Sequence, residues 1–281
     1  MGQRDRAPGQ VNRLRFPGSG RMEYFFAAMY RFFIERKNID LDSGICRITG
    51  SDVNHIGNVL RMKRGEQVLL SCGEKEDPVE YLCEIEEVRS EEVAARILEF
   101  RKSGRELPSD LYLFQAIPKG DRFETVIEKS VELGVHRIIP VLSARTIVKL
   151  DESRARKKAA RWNALSLTAA KQSKRAFVPG VELPVSWNKA LETAQTLDRI
   201  LVPYENAEGI AHTRKVLASL KRGESIGIFI GPEGGFEEKE IWQLQEQGAE
   251  VITLGHRILR ADTAGITVLS LLMLQLEEDL G

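Results

Sequence analysis

The chain has 281 residues, 42% of them hydrophobic, which is enough for about two domains, each with its own core. Lysine plus arginine and aspartate plus glutamate each number 41, so the formal net charge is zero; that argues against a uniformly basic nucleic-acid coat and against an acidic disordered chain. Ten prolines and 23 glycines are near average usage and exclude collagen-like and proline-rich low-complexity sequences.

Residues 1–23 carry no helical or strand periodicity, and the first 28 read as a disordered leader, with folded sequence expected from about Met29. The apolar stretch 24–34 is interrupted by Arg31, is too short to span a bilayer, and is followed by no small-residue cleavage site. No membrane partner and a cytoplasmic location are therefore expected. From residue 30 to 100 the pattern is one of short strands, at 30–34, 44–48, 67–71, 81–88 and 93–100, which predicts a small β-barrel. One helix interrupts it, with Ser51 or Asp52 as N-cap, Val53, Ile56, Val59 and Leu60 on its buried face, and Gly65 as its stop.

The polar segment 102–109, with Gly104 and Pro108, breaks both periodicities and places a boundary between a domain at 29–101 and another at 108–281. Beyond it an apolar strand at 111–117, a helix at 123–133 and a strand at 136–141 begin an alternation that predicts an α/β domain with a mostly parallel sheet. Residues 154–171 form a basic helix with Trp162, Leu165 and Ala169 inward. Two strand–loop–helix units close the chain: strand 226–230, a glycine-rich turn and helix 236–246, then strand 251–254, a loop and the apolar helix 263–276.

Charge is unevenly distributed. Residues 74–99 hold ten acids against three bases, a balance of minus seven, whereas residues 119–175 hold fourteen bases against six acids, a balance of plus eight. A polyanion would meet the basic segment, although such runs also serve as solvated faces. Cys46, Cys72 and Cys83 form no CxxC pair and read as reduced core or strand residues. The four histidines are scattered, outside any ligand spacing, so no metal is expected.

In parallel α/β sheets ligands bind beyond the carboxyl ends of strands, which makes the loops after residues 202, 230 and 254 the default pocket. Neither GxxxxGK[ST] nor GxGxxG is present, so the ligand carries little phosphate. Gly231, Gly234 and Gly235 let main-chain groups approach a flat base closely; a tight turn before a helix is the plain alternative. The apolar loop around Gly255 needs a cover, either a second subunit or an adenine-sized ligand.

The strand and turn IGPEGGF (230–236), the run LGHRILRADTA (254–264), and the stretches EKSVELGVHRIIPV (128–141) and AAKQSKR (169–175) resemble the SPOUT class of S-adenosylmethionine-dependent RNA methyltransferases, and specifically the ribosomal RNA small-subunit methyltransferase E family. The resemblance implies an N-terminal PUA-like RNA-binding β-barrel followed by a SPOUT α/β domain with a trefoil knot, acting as a homodimer on small-subunit ribosomal RNA or the assembled 30S subunit. The implied reaction is methyl transfer to N3 of a uridine. Carried onto this chain, the cofactor slot comprises Leu201, Val202, Pro203, Gly231, Pro232, Glu233, Leu254, Gly255, Ile258, Leu259 and Arg260. The family pattern has Glu at position 171, Gly at 174 and ETA at 262–264, where this chain has Lys171, Lys174 and Asp262, Thr263, Ala264.

For such a reaction a guanidinium must stabilise charge on the uracil carbonyls; Arg260 is the first candidate and Arg257 its rival. Glu233 is a candidate proton acceptor or an acid that stabilises a helix dipole. Candidate RNA contacts are Arg31, Arg47, Arg61, Lys63 and Arg64 in the barrel, with Lys119, Arg122, Lys171, Lys174 and Arg175 beyond it. Transfer RNA, a ribose 2′-hydroxyl, or a non-catalytic role in ribosome assembly are the alternatives.

Overall fold

The computed structural model describes residues 29–75, 79–148, 150–205 and 207–277; the expected leader lies outside them. The chain runs through β1 (Arg31–Phe33), a 3-10 turn, β2 (Ile39–Asp40), β3 (Ile45–Thr49), a short helix α1 (Ser51–Asn54), β4 (Gln67–Ser71), β5 (Val79–Val88) and β6 (Glu92–Lys102). These strands form one curled sheet in the order β1-β4-β5-β6-β3-β2, antiparallel except for the β1–β4 pair. Alternation turns Cys46, Ile48, Val68, Leu70, Cys83, Ile85, Val93 and Ala95 inward, and Val53 and Ile56 plug the interior from α1 and the turn after it. All three cysteines are free thiols, two of them buried here.

The small helix departs from expectation. Gly50 is its N-cap, and after Asn54 it continues as a π-helical turn, His55–Val59. The wider turn swings Val59 outward, to 61% exposed, so only Val53 and Ile56 of the expected apolar face are buried. The chain then leaves through Arg61, which holds a left-handed φ of 54°, so the helix stops well before Gly65.

The second sheet is parallel throughout. Its elements are β7 (Asp110–Ala116), α2 (Arg122–Glu132), β8 (Arg137–Leu142), α3 (Glu152–Gln172), β9 (Gly180–Val181), β10 (Val185–Ser186), α4 (Trp187–Ala194), β11 (Arg199–Pro203), α5 (Ile210–Ser219), β12 (Ser225–Ile230), α6 (Glu238–Glu246), β13 (Glu250–Ile252) and α7 (Ala261–Leu276). The strand order is β10-β8-β7-β12-β11-β13, with β9 also paired to β8. Two cores cover its faces. Leu111, Leu113, Ile226, Ile228 and Leu201 pack with α2, α3 and α7 on one side; Phe114, Phe229, Val202 and Ile200 pack with α4 and α6 on the other. The Phe114 and Phe229 rings stack at 4.3 Å within the second of these.

Helix starts follow local chemistry. The Asp151 carboxylate accepts from the Arg154 N–H at 2.8 Å to begin α3, and Glu237 with Glu240 forms a reciprocal capping box on α6. The last helix is apolar on nearly every side; it packs on α2 and over β12 and β7, although it follows β13 at the sheet edge. No helix among the described residues is long and apolar enough to cross a membrane.

Candidate functional site

Because the strands are parallel, the loops after β7, β8, β11, β12 and β13 all emerge at one edge of the sheet. Gly265, just over a turn into α7, approaches the side chains of Gln115, Ile230 and Leu113, so the N-terminus of α7 lies over the ends of β7 and β12. Arg260 is the N-cap of that helix, about 7 Å upstream along its axis, and it is exposed.

The loop after β12 is a tight turn closed by the Gly235 N–H donating to the Pro232 carbonyl at 2.9 Å. A Cβ at Gly231 would come within 3.1 Å of the Phe236 main-chain nitrogen, which explains glycine there. Glu233 reaches across to the loop after β7: one carboxylate oxygen accepts from the Lys119 N–H at 3.0 Å, and Arg122 lies 3.9 Å away. Partial burial raises the Glu233 pKa, but the Lys119 hydrogen bond and the nearby Arg122 and Lys119 charges outweigh it and hold the carboxyl below its ordinary value. A carboxylate so stabilised is a weak proton acceptor, and its visible work is to join two loops of the site.

The loop after β13 has a different character. Thr253 ties Gly255 through its hydroxyl, and Gly255 takes a φ of 108°. Among the described residues, the main chain from His256 to Leu259 makes no backbone hydrogen bond, while Ile258 is 90% exposed. Unpaired N–H and C=O groups beside apolar side chains suit a flat heterocycle read by the backbone. Gln115 adds a buried side-chain oxygen with no donor among the described residues, under the start of α7. Sequence reading passed over it; a lone amide inside an apolar strand was the available signal.

The remaining candidates divide sharply. Leu201 and Val202 are fully buried on opposite faces of β11, so the slot can use only the end of that strand at Pro203. Pro232 is buried, Leu254 packs on the main core, and Leu259 is half-buried. Arg257 is exposed on the loop, and no ion pair is formed by it or by Arg260 among the described residues.

Of the expected RNA contacts, Arg47, Arg61, Lys63, Arg64, Lys119 and Arg122 are exposed; Arg47 shares Glu92 at 3.1 Å. Three expectations need correction. Arg31 is buried against Glu80, which also takes Arg101, and burial pushes its guanidinium down to about 10. Arg175 is 5% exposed, clamped by Glu106 and by the carbonyls of Val131 and Val135 at 3.0 and 2.8 Å. Lys171 is engaged with Asp52. In this arrangement these side chains hold the molecule together, and none presents its charge to a phosphate. Lys174 sits at a φ of 61°, a left-handed position natural to the glycine of the family pattern. The acidic balance of residues 74–99 is also partly spent internally, through Glu80, Glu86, Glu87 and Glu92 on barrel arginines.

Comparison with known proteins agrees with these modules. Residues 105–273 match an RNA methyltransferase domain and residues 48–98 an RNA methyltransferase PUA domain. Ribosomal RNA small subunit methyltransferase E of Bacillus subtilis is 38% identical over 253 residues, spanning 89% of this chain and 98% of that protein. Among solved structures, a Legionella pneumophila methyltransferase in complex with S-adenosylmethionine superimposes with a TM-score of 0.74 at 31% identity, covering 88% of this chain and 97% of that one. A Neisseria gonorrhoeae ribosomal RNA small subunit methyltransferase E bound to S-adenosylmethionine gives 0.72 at 30% identity, covering 86% and 95%.

A PUA-like sheet joined to an α/β domain of this type defines a two-module RNA methyltransferase. Within that class, the chain belongs to the ribosomal RNA small subunit methyltransferase E family.

Proposed function

We propose that the protein transfers the methyl group of S-adenosylmethionine to N3 of a uridine in small-subunit ribosomal RNA, acting as a homodimer with a trefoil-knotted domain at 108–281 and an RNA-binding barrel at 29–101. The observation that carries this reading is the unpaired main chain of residues 256–259, set beside the exposed Arg257 and Arg260 at the edge where the parallel strands end.

The residues present fit the cofactor. Main-chain N–H and C=O groups of residues 256–259 would hold the adenine edge, and Gly231 and Gly255 keep the walls free of side chains. When bound, the sulfonium supplies a methyl group that is already electrophilic. The chain's own task is to orient uracil N3 in line with that methyl and to favour loss of the N3 proton. Arg260, fixed by its place at the start of α7, would stabilise negative charge on the ring carbonyls, with Arg257 three residues earlier in the loop. Glu233 would keep the loops after β7 and β12 in register.

The knot is supported by the path of the chain from edge strand β13 back over β12 and β7 into α7. The dimer is supported by the apolar character of α7 where it faces outward, with Leu274 78% and Leu271 37% exposed. The test is incubation with methyl-labelled S-adenosylmethionine and, separately, 30S subunits, free small-subunit RNA and transfer RNA. Label in small-subunit RNA is expected; label in transfer RNA alone, or in none, overturns the assignment.

A further inference from the structure

Beside the site lies a cavity of about 260 Å³ that none of the roles above uses. It is bounded by the loop after β7, the first turn of α2, the chain before α3 and the N-terminal half of α3. We propose that it holds a second, unpaired nucleobase of the RNA substrate, one bearing an exocyclic amine, while the neighbouring uridine occupies the methyl-transfer site. This inference rests on the reading that RNA is the substrate.

Position comes first. The cavity opens at the same sheet edge as the methyl-transfer loops, and its Pro118–Gly120 wall is the stretch whose Lys119 N–H is held by Glu233. The volume falls below that of pockets for drug-sized ligands and matches a single ring system. Its chemistry is that of a base pocket. Phe123 and Trp162, packed edge to face at 4.6 Å and each 2% exposed, form an apolar floor, and Val148 adds to the lining. Lys158 stands 5.7 Å over the Trp162 ring, which places a cation at the mouth for a phosphate.

The polar reader is Asp121. It occupies the N-cap of α2, yet its side chain makes no capping bond and accepts no hydrogen bond among the described residues. Its neighbour Glu124 is already committed to Arg161 at 2.7 Å. A free carboxylate accepts from an exocyclic amine and is repelled by uracil carbonyls, so cytosine, adenine or guanine fits and uracil does not. Exposed Lys119 and Lys157, next in sequence to lining residues, offer cations to the adjoining backbone.

Ultraviolet crosslinking of the full chain to small-subunit RNA, followed by peptide mapping, reads the pocket directly. Adducts on residues 118–124 or 157–163 carrying cytosine, adenine or guanine are expected. Asp121→Ala, and Val148→Phe which fills the cavity, should each raise the RNA KM about tenfold and leave S-adenosylmethionine affinity unchanged. Unchanged KM in both folded variants, with adducts confined to other segments of an active protein, overturns the proposal; so does an adduct on uracil, which would make this the acceptor site. A wild-type protein that methylates no RNA would instead defeat the functional reading, while the adduct map still judges the pocket.

Discussion

The Lys171 ammonium donates to both carboxylate oxygens of Asp52, at 2.9 and 3.0 Å, and so ties the last turn of α3 to the first turn of α1 across 119 residues of sequence. With both side chains under a third exposed, the pair is shielded from solvent and salt. Asp52→Ala should lower stability by about 1 kcal/mol, and Lys171→Glu by more, because it faces two carboxylates together. Exchange of the two, Asp52→Lys with Lys171→Asp, should recover part of the loss in a denaturant melt; a double variant no better than the sum of the singles would show that the contact carries no coupling.

Arg175 is the stronger joint. It spends its fork on Glu106 and two carbonyls, while Glu106 also accepts from the N–H groups of Ala176 and Phe177. Arg175→Ala takes the buried cation from Glu106 and one donor from each of the Val131 and Val135 carbonyls, and should cost about 3–5 kcal/mol by chemical denaturation. Arg175→Lys should rescue only partly, since an ammonium cannot span the same acceptors.

His136 gives the fold a predictable acid sensitivity. Its ring lies between Tyr112 at 5.1 Å and Phe177 at 5.2 Å. Burial is the main cause that depresses its pKa; Lys75, Arg137 and Arg175 lower it further and Asp110 opposes them. An imidazole whose folded pKa is depressed stays neutral in the fold while the unfolded chain takes up a proton. Its contribution is therefore complete above about pH 6.5 and is lost as pH falls through the lower folded value. The melting temperature should drop between about pH 7 and pH 5, and His136→Phe should flatten that drop. Equal slopes for the two proteins would remove His136 from the account.

Arg260→Ala should lower the methylation rate by about a hundredfold while calorimetric affinity for S-adenosylmethionine changes little, because the guanidinium is assigned to charge that develops on the base. Loss of cofactor affinity in step with rate would confine Arg260 to the cofactor slot with no role on the base, and normal turnover would pass that role to Arg257.

Strands such as β7 and β12 were legible because an apolar run bounded by turn residues admits few other readings. The two-residue strands β9 and β10 were not, since they exist only by pairing with β8, some forty residues earlier. The loops of the site could be read from their glycines and from the order of the strands. The duties of Arg31, Lys171 and Arg175 could not, because Glu80, Asp52 and Glu106 lie 49, 119 and 69 residues away and only the tertiary fold brings them near. A basic residue reads alike in sequence whether it meets a phosphate or a buried carboxylate.

The most direct test of the central claim is nucleoside mass spectrometry of small-subunit ribosomal RNA methylated by the purified protein with isotopically labelled S-adenosylmethionine. The account predicts one labelled nucleoside, a uridine with the methyl on N3. A labelled methyl on a ribose hydroxyl, on another base, or on no nucleoside of that RNA would contradict it.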